Sequence, residues 1–335
     1  MEAAEFKRAV ESLRERSTIS TITEFLRSKN LAHSANTWDD LIEKRLRQHW
    51  KDGKLSEVDF RKLLRDAEDY GHQHIFLYSL KGGGAEAATR LKKTNVQAAL
   101  KKMGYPDILT TPRFVPTPKQ TEMADAYLAE NLSLSMKLIE RRTLRVEERE
   151  ETEDGYRIRK RIQYQRAVDL VTFLSTGLLE IRLEMMDDTP DYPKIRDDIW
   201  DVIEPIFPQV EFGELDLSEA RKKITVNPTD DVRRVVRVRR ASGRDTDGTT
   251  FTVAAGKVNG NLLATEQNVE GIAKLGGRPT SQMGQTSVGF LAQENGIPRR
   301  ELGAIFTSAP NEVLILPSCT PEEYEYVRGQ IAKLS

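Results

Sequence analysis

At Gly71 the hydrophobic period of this chain changes, and that switch divides what it can fold into. Before it, Phe6, Val10 and Leu13, then Ile22, Phe25 and Leu26, then Leu41, Ile42, Arg45 and Leu46, then Val58, Phe60, Leu63 and Leu64 fall at helical spacing. Thr37 stands three residues before Asp40 and Ser56 three before Asp59, each a helix-start signal with a carboxylate closing the box. These signals predict about four short helices packed as a bundle.

After Gly71, His72-Gln73-His74-Ile75-Phe76-Leu77-Tyr78-Ser79-Leu80 reads as a buried strand closed by Gly82-Gly83-Gly84, and residues 85–103 return to a helical pattern. Prolines 106, 112, 116 and 118 mark an irregular stretch, followed by an expected helix from about Gln120 to Asn131. Residues 134–186 read as an antiparallel meander, turning at Asp154-Gly155 and at Ser175-Thr176-Gly177. A helix follows Pro193 with Ile195, Ile199, Ile203 and Ile206 along one face.

The last part contains an expected helix at 217–224, a strand over the arginine run, a strand at 250–258 and a helix near 266–275. A buried strand at 311–316 follows, then a final helix capped by Thr320 and Glu323. The expected class is α+β, with a helical bundle at 1–71, an α+β domain with an antiparallel meander and helices at 72–210, and a C-terminal α+β domain at 211–335. A length of 335 residues suits two or three domains.

Charge sharpens the question of function. Net charge is −1 in a chain that is 31% charged, so nucleic acid is not coated by the whole surface; any contact must be local. Residues 232–244 carry six arginines and no acid. A row of guanidiniums on a strand suits phosphate, whose oxygens match the planar fork.

A second basic strand, Tyr156 to Tyr164, is expected to be cancelled. A turn at Asp154-Gly155 sets Glu150 against Arg159 and Glu148 against Arg161, and opposite charges across a ladder attract. The same test leaves the other run free: a turn at Asp247-Gly248 places Val258 opposite Arg237 and Gly256 opposite Arg239, neither of them acidic. The candidate nucleic-acid-binding residues are therefore Arg233, Arg237, Arg239, Arg244 and Lys257. An edge strand charged against aggregation, a solvated helical stripe and a surface for an acidic protein compete with that reading.

Catalytic signatures are weak. His72 and His74 have a spacing two metal ligands could use, but His33 and His49 are the only other histidines. Asp169 followed by Glu180-Ile181-Arg182 has the acid order of metal-dependent nucleases with arginine in the lysine position, where it cannot act as a base. Glu184, Asp187, Asp188 and Asp191 could collect magnesium, or could simply favour the start of the helix that follows them. Cys319 has no histidine after residue 74 to activate it, and the three glycines at 82–84 lack the Gly-Lys-Ser/Thr of a phosphate loop.

The helical start followed by His72-Gln73-His74 and a hydrophobic strand resembles the N-terminal region of the centromere protein N family over those few letters, and no residue role is carried over from it. One cysteine excludes an internal disulfide, no run of about 20 apolar residues exists to span a bilayer, and Met1-Glu2-Ala3-Ala4-Glu5-Phe6 is unlike a secretory signal. The expectation is a soluble, intracellular, cytoplasmic protein without a cofactor. It is read as a non-enzymatic nucleic-acid-binding or adaptor subunit that meets DNA or RNA backbone through the arginine strand. The helical bundle is its candidate surface for a protein partner. A nuclease built on Asp169 and Glu180 and a scaffold for an acidic partner are the alternatives.

Overall fold

The computed structural model describes all residues except 1–2, 112, 114, 116, 131–132, 153–154, 187–190, 245–247, 257–259, 277–281 and 317–318. It is a mixed α+β chain in two compact units. The first comprises Met1–Gln73, Asp216–Ala309 and Val313–Ser335, and the second His74–Leu215 and Pro310–Glu312.

In the first unit, α1 (Ala3–Arg16), α2 (Ile19–Ser28), α3 (Trp38–Leu41), a π-helical stretch (Ile42–Leu46), α4 (Arg47–Lys51) and α5 (Glu57–Asp69) gather around Leu13, Ile22, Leu26, Leu41, Leu46 and Phe60, all essentially buried. Each such side chain contributes roughly 1.5–3 kcal/mol by leaving water. The start signals work locally: Thr37 accepts the Asp40 amide, and Ser56 and Asp59 cap each other's amides. Lys29 and Ser56 hydrogen-bond the Asp59 carboxylate and pull its pKa down to about 2.

The second unit holds β1 (Gln73–Leu80), α6 (Gly83–Arg90), α7 (Lys93–Lys102), β2 (Glu122–Leu128), β3 (Ser133–Thr152), β4 (Gly155–Leu174), β5 (Leu178–Glu184), α8 (Tyr192–Ile203) and β6 (Phe212–Glu214). Its strands run in the order β2-β3-β4-β5-β1, with β6 on β1. Residues at alternate positions, such as Leu134, Met136, Leu138, Val171, Phe173, Leu179 and Ile181, share one core with Val96 and Leu100 of α7 and Ile199, Trp200 and Ile203 of α8.

The segment read as a helix over 120–131 is the edge strand β2. Its Ala, Met and Leu content favours helix in isolation, but pairing with β3 from Glu122 to Leu128 satisfies its backbone and buries Met123 and Ala126, so tertiary context outweighs propensity. β3 and β4 are each 20 residues long, and their ladder runs from Ser133↔Leu174 to Thr152↔Gly155. The ladder ends two residues out of the expected register, and Asp154 of the expected turn lies outside the described residues.

The rest of the first unit contains α9 (Ser218–Thr225), α10 (Asp230–Val235), β7 (Val236–Arg244), β8 (Thr250–Ala254), α11 (Glu266–Gly276), β9 (Gln282–Phe290), β10 (Leu302–Phe306), β11 (Glu312–Ile315) and α12 (Pro321–Leu334). Strand order is β11-β10-β9-β7-β8. α9 lies across β7 and β9, α11 against β7 and α9, and α12 against α9, so this sheet is covered on one face. β9 carries no obvious sequence signal, because Gly284, Gln285, Ser287 and Gly289 occupy the positions between the buried Met283, Thr286, Val288 and Phe290.

Candidate nucleic-acid interface

The arginine run is not one strand. Thr229 caps α10 through the Val232 amide, so Arg233 and Arg234 are helical, and the strand begins at Val236. Arg233 consequently leaves the row: its Nη1 lies 2.6 Å from Oε1 of Glu266 at the start of α11. That hydrogen bond holds the Glu266 carboxyl below its usual range.

Along β7, Val236, Val238, Ala241 and Gly243 turn inward while Arg237, Arg239, Arg240, Ser242 and Arg244 turn outward. Strict alternation would send Arg239 and Arg240 to opposite faces. A bulge in the pairing with β9, where Val238↔Val288 is followed by Arg240↔Ser287, inserts the extra residue that brings both outward. Four arginines thereby share one exposed sheet face, and only the bulge makes this possible.

The expectation that no acid opposes Arg237 and Arg239 is corrected. Glu301, just before β10, places Oε2 at 2.9 Å from Arg237 Nη1 and Oε1 at 2.7 Å from Arg239 Nη2. Its carboxylate lies over Gly289 of β9, where a Cβ would stand 1.8 Å from Oε1. Gly289 is directly opposite Arg237 in the ladder, so the absence of a side chain there opens the path across β9. The acid comes from the far side of a strand that hairpin arithmetic does not include.

The expected register on β8 is also off by one. Arg240 pairs with Ala254 and Arg244 with Thr250, and an odd shift exchanges the faces of a strand. Lys257 and Val258 lie outside the described residues, as does Asp247; Gly248 has a φ of +81°. Among the described residues, Arg240 and Arg244 have no carboxylate partner, and both are exposed. Around them stand the exposed Thr250 and Thr252, the half-buried Ser242 and the exposed Gln285. Ser242 Oγ donates to the Gln285 carbonyl at 3.1 Å.

The basic strand of the hairpin behaves as expected, by a different register. Glu150 is directly opposite Arg157 and Glu148 opposite Arg159, two residues from the expected pairing. An even shift preserves the face, so the anticipated partners meet diagonally: Arg161–Glu148 at 3.1 Å and Arg159–Glu150 at 3.9 Å. Lys160 and Glu147, directly opposed, add a contact of 3.1 Å on the other face.

Asp169 and Glu180 do not come together. Asp169 lies opposite Leu138, on the face with Val171 and Phe173, whereas Glu180 lies opposite Thr172, on the reverse face. Asp169 instead accepts from Arg142 Nη2 at 2.6 Å and from the Glu184 amide at 3.0 Å. Arg142 also bonds Glu140 and the Glu184 carbonyl, so one buried guanidinium serves two carboxylates. Burial and the charge of Glu140 push the Asp169 carboxyl up to about 7, against the pull of Arg142.

His74 Nε2 lies 3.2 Å from Glu312, with its ring 4.7 Å from Phe76 and 4.5 Å from Tyr192. His49 Nε2 is 2.8 Å from the Ala32 carbonyl. Cys319 is buried, its amide donating to the Tyr70 carbonyl. Among the described residues, no group of three or more His, Cys, Asp or Glu side chains could hold a metal, and no helix is long and apolar enough to cross a membrane.

No protein-family model and no curated protein matches this chain.

Proposed function

We propose that this protein is a non-enzymatic nucleic-acid-binding or adaptor subunit that grips phosphate backbone on the exposed face of β7. The observation that carries the reading is the bulge at Val238/Arg240, which turns Arg237, Arg239, Arg240 and Arg244 to one side with only Glu301 among them. Four positive charges against one negative leave a net +3 on this patch of the described surface.

Arg240 and Arg244 supply the contacts in this reading, because their guanidiniums are exposed and uncommitted among the described residues. Glu301 holds Arg237 and Arg239 against the sheet, where they add field rather than direct contact. Hydroxyls of Thr250 and Thr252 offer further donors to phosphate oxygens. Nothing in such a face reads base edges, so binding is sequence-independent. The helical bundle of residues 1–71 is left for a protein partner.

Acidic protein is the second reading, favoured by the carboxylate of Glu301 already seated between two of the arginines. The test is fluorescence anisotropy of labelled DNA and RNA strands with wild type and with Arg240→Glu/Arg244→Glu. A loss of about tenfold or more in affinity is expected, since two phosphate contacts become repulsions. Equal affinity of the two proteins contradicts the proposal, and absence of binding by wild type favours the acidic partner.

A further inference from the structure

The β3–β4 hairpin outruns the sheet that holds it. β2 pairs with β3 only as far as Ile139, and β5 pairs with β4 only over Leu170–Phe173. Residues 143–152 and 155–164 therefore form a two-stranded arm, about 30 Å long at the usual rise per residue. On one side of β4, Tyr156, Ile158, Ile162 and Tyr164 are each more than half exposed, an apolar row interrupted by Lys160.

The backbone beneath this row also faces outward. The Val168 amide donates to Glu184 Oε2 on the β5 side at 2.7 Å, and along an antiparallel strand the direction of N–H and C=O alternates. Because the β3–β4 ladder has no register shift, Ile158, Lys160, Ile162 and Tyr164 share the direction of Val168. Their amides and carbonyls point to the open edge, where no strand pairs with them among the described residues.

An unpaired edge of this kind is a template for another strand. Its chemistry selects the strand. Arg157, Arg159 and Arg161 occupy the face opposite the apolar row, and β3 already shows what satisfies them, with Glu148 on Arg161 and Glu150 on Arg159. A strand added on the open edge meets the same arginines from the other side and the apolar row on its alternate residues.

We propose that the open edge of β4, from Ile158 to Tyr164, is a β-augmentation site for an extended segment of a partner protein in which acidic and apolar residues alternate.

Two other occupants fit less well. A second copy paired antiparallel about Lys160 sets Lys160 against Lys160 and Arg159 against Arg161, which repels. Nucleic acid has no peptide amides and carbonyls to pair with the outward backbone groups of Ile158, Lys160, Ile162 and Tyr164, and no alternate apolar side chains to cover the exposed row.

The test uses the full chain and two fluorescein-labelled peptides, one alternating glutamate with valine and one alternating lysine with valine, with a labelled oligonucleotide as the third probe. Saturable binding of the glutamate peptide, at least about tenfold tighter than the lysine peptide, is expected. Lys160→Pro removes an outward amide that the β3 ladder does not use and keeps the apolar row, so it is expected to weaken the glutamate peptide about tenfold. Arg157→Gln/Arg159→Gln/Arg161→Gln keeps the backbone and is expected to bring the two peptides level. The proposal is overturned by equal binding of both peptides to wild type, by no binding, or by an unchanged affinity in Lys160→Pro whose circular dichroism matches wild type. Capture of the oligonucleotide that Lys160→Pro leaves intact but the triple glutamine variant abolishes also overturns it, as does self-association that excludes the peptide.

Discussion

The two arginine strands of this protein differ in where their acids come from. On the hairpin, Arg159 and Arg161 are met by glutamates from the adjacent strand, within 13 residues of chain. On β7, Arg237 and Arg239 are met by a single glutamate 62 residues beyond Arg239, reaching over an intervening strand through the gap at Gly289. The first arrangement meets its arginines from one side within a single ribbon, while the second leaves Arg240 and Arg244 without a carboxylate partner among the described residues. A basic strand is thus interpretable only together with everything that lies across the sheet from it.

Burial ranks the ion pairs of the two regions, and the ranking can be broken. The strongest sits at the root of the hairpin, where Arg142 is 4% exposed between Glu140 and Asp169. Arg142→Met leaves two buried carboxylates without their cation and is expected to cost about 3–5 kcal/mol in urea denaturation. A cost under about 1 kcal/mol means that the carboxylates take up protons or water at little expense. Asp169 supplies a pH signature of the same cluster. Its folded pKa is raised above the unfolded value near 3.8, so the folded form binds a proton more readily; stability is expected to rise as pH falls from about 7 towards 4. Asp169→Asn should remove that slope, and its persistence would locate the proton elsewhere.

Next comes the half-buried Glu301. Glu301→Gln is expected to destabilise the protein by about 1–2 kcal/mol while raising affinity for a nucleic-acid strand, because two guanidiniums lose their counter-charge. Destabilisation accompanied by unchanged affinity would reduce Glu301 to a structural role. Smallest is the hairpin tip: Glu148→Gln/Glu150→Gln, on side chains roughly half exposed, should change stability by less than about 1 kcal/mol. A larger effect would show that the arm is not the independent ribbon described.

The same contrast explains how far the amino-acid sequence could be read. Helix starts at Thr37, Ser56 and Thr320 were legible because a cap involves neighbours three residues apart. The hairpin ion pairs were legible despite a wrong turn, since an error of two residues keeps every side chain on its face. On β7 the register against β8 differs by one residue, a bulge alters the alternation, and the partner strand β9 is concealed by Gly284, Thr286, Ser287 and Gly289. Without β9 and β10, Glu301 had no visible route to the arginines. β2 departs from its sequence pattern for the opposite reason, its helix-forming residues being overruled by the neighbouring edge of β3.

Arg240 and Arg244 of β7, without a carboxylate partner among the described residues, are proposed to bind phosphate backbone. This proposal is tested most directly by the salt dependence of wild-type affinity for a labelled single strand between about 50 and about 200 mM salt. Two arginines in contact, aided by the field of two more, predict an affinity that falls with a log–log slope between about −1.5 and −3. An affinity indifferent to salt, or no binding at the lowest salt, would contradict it.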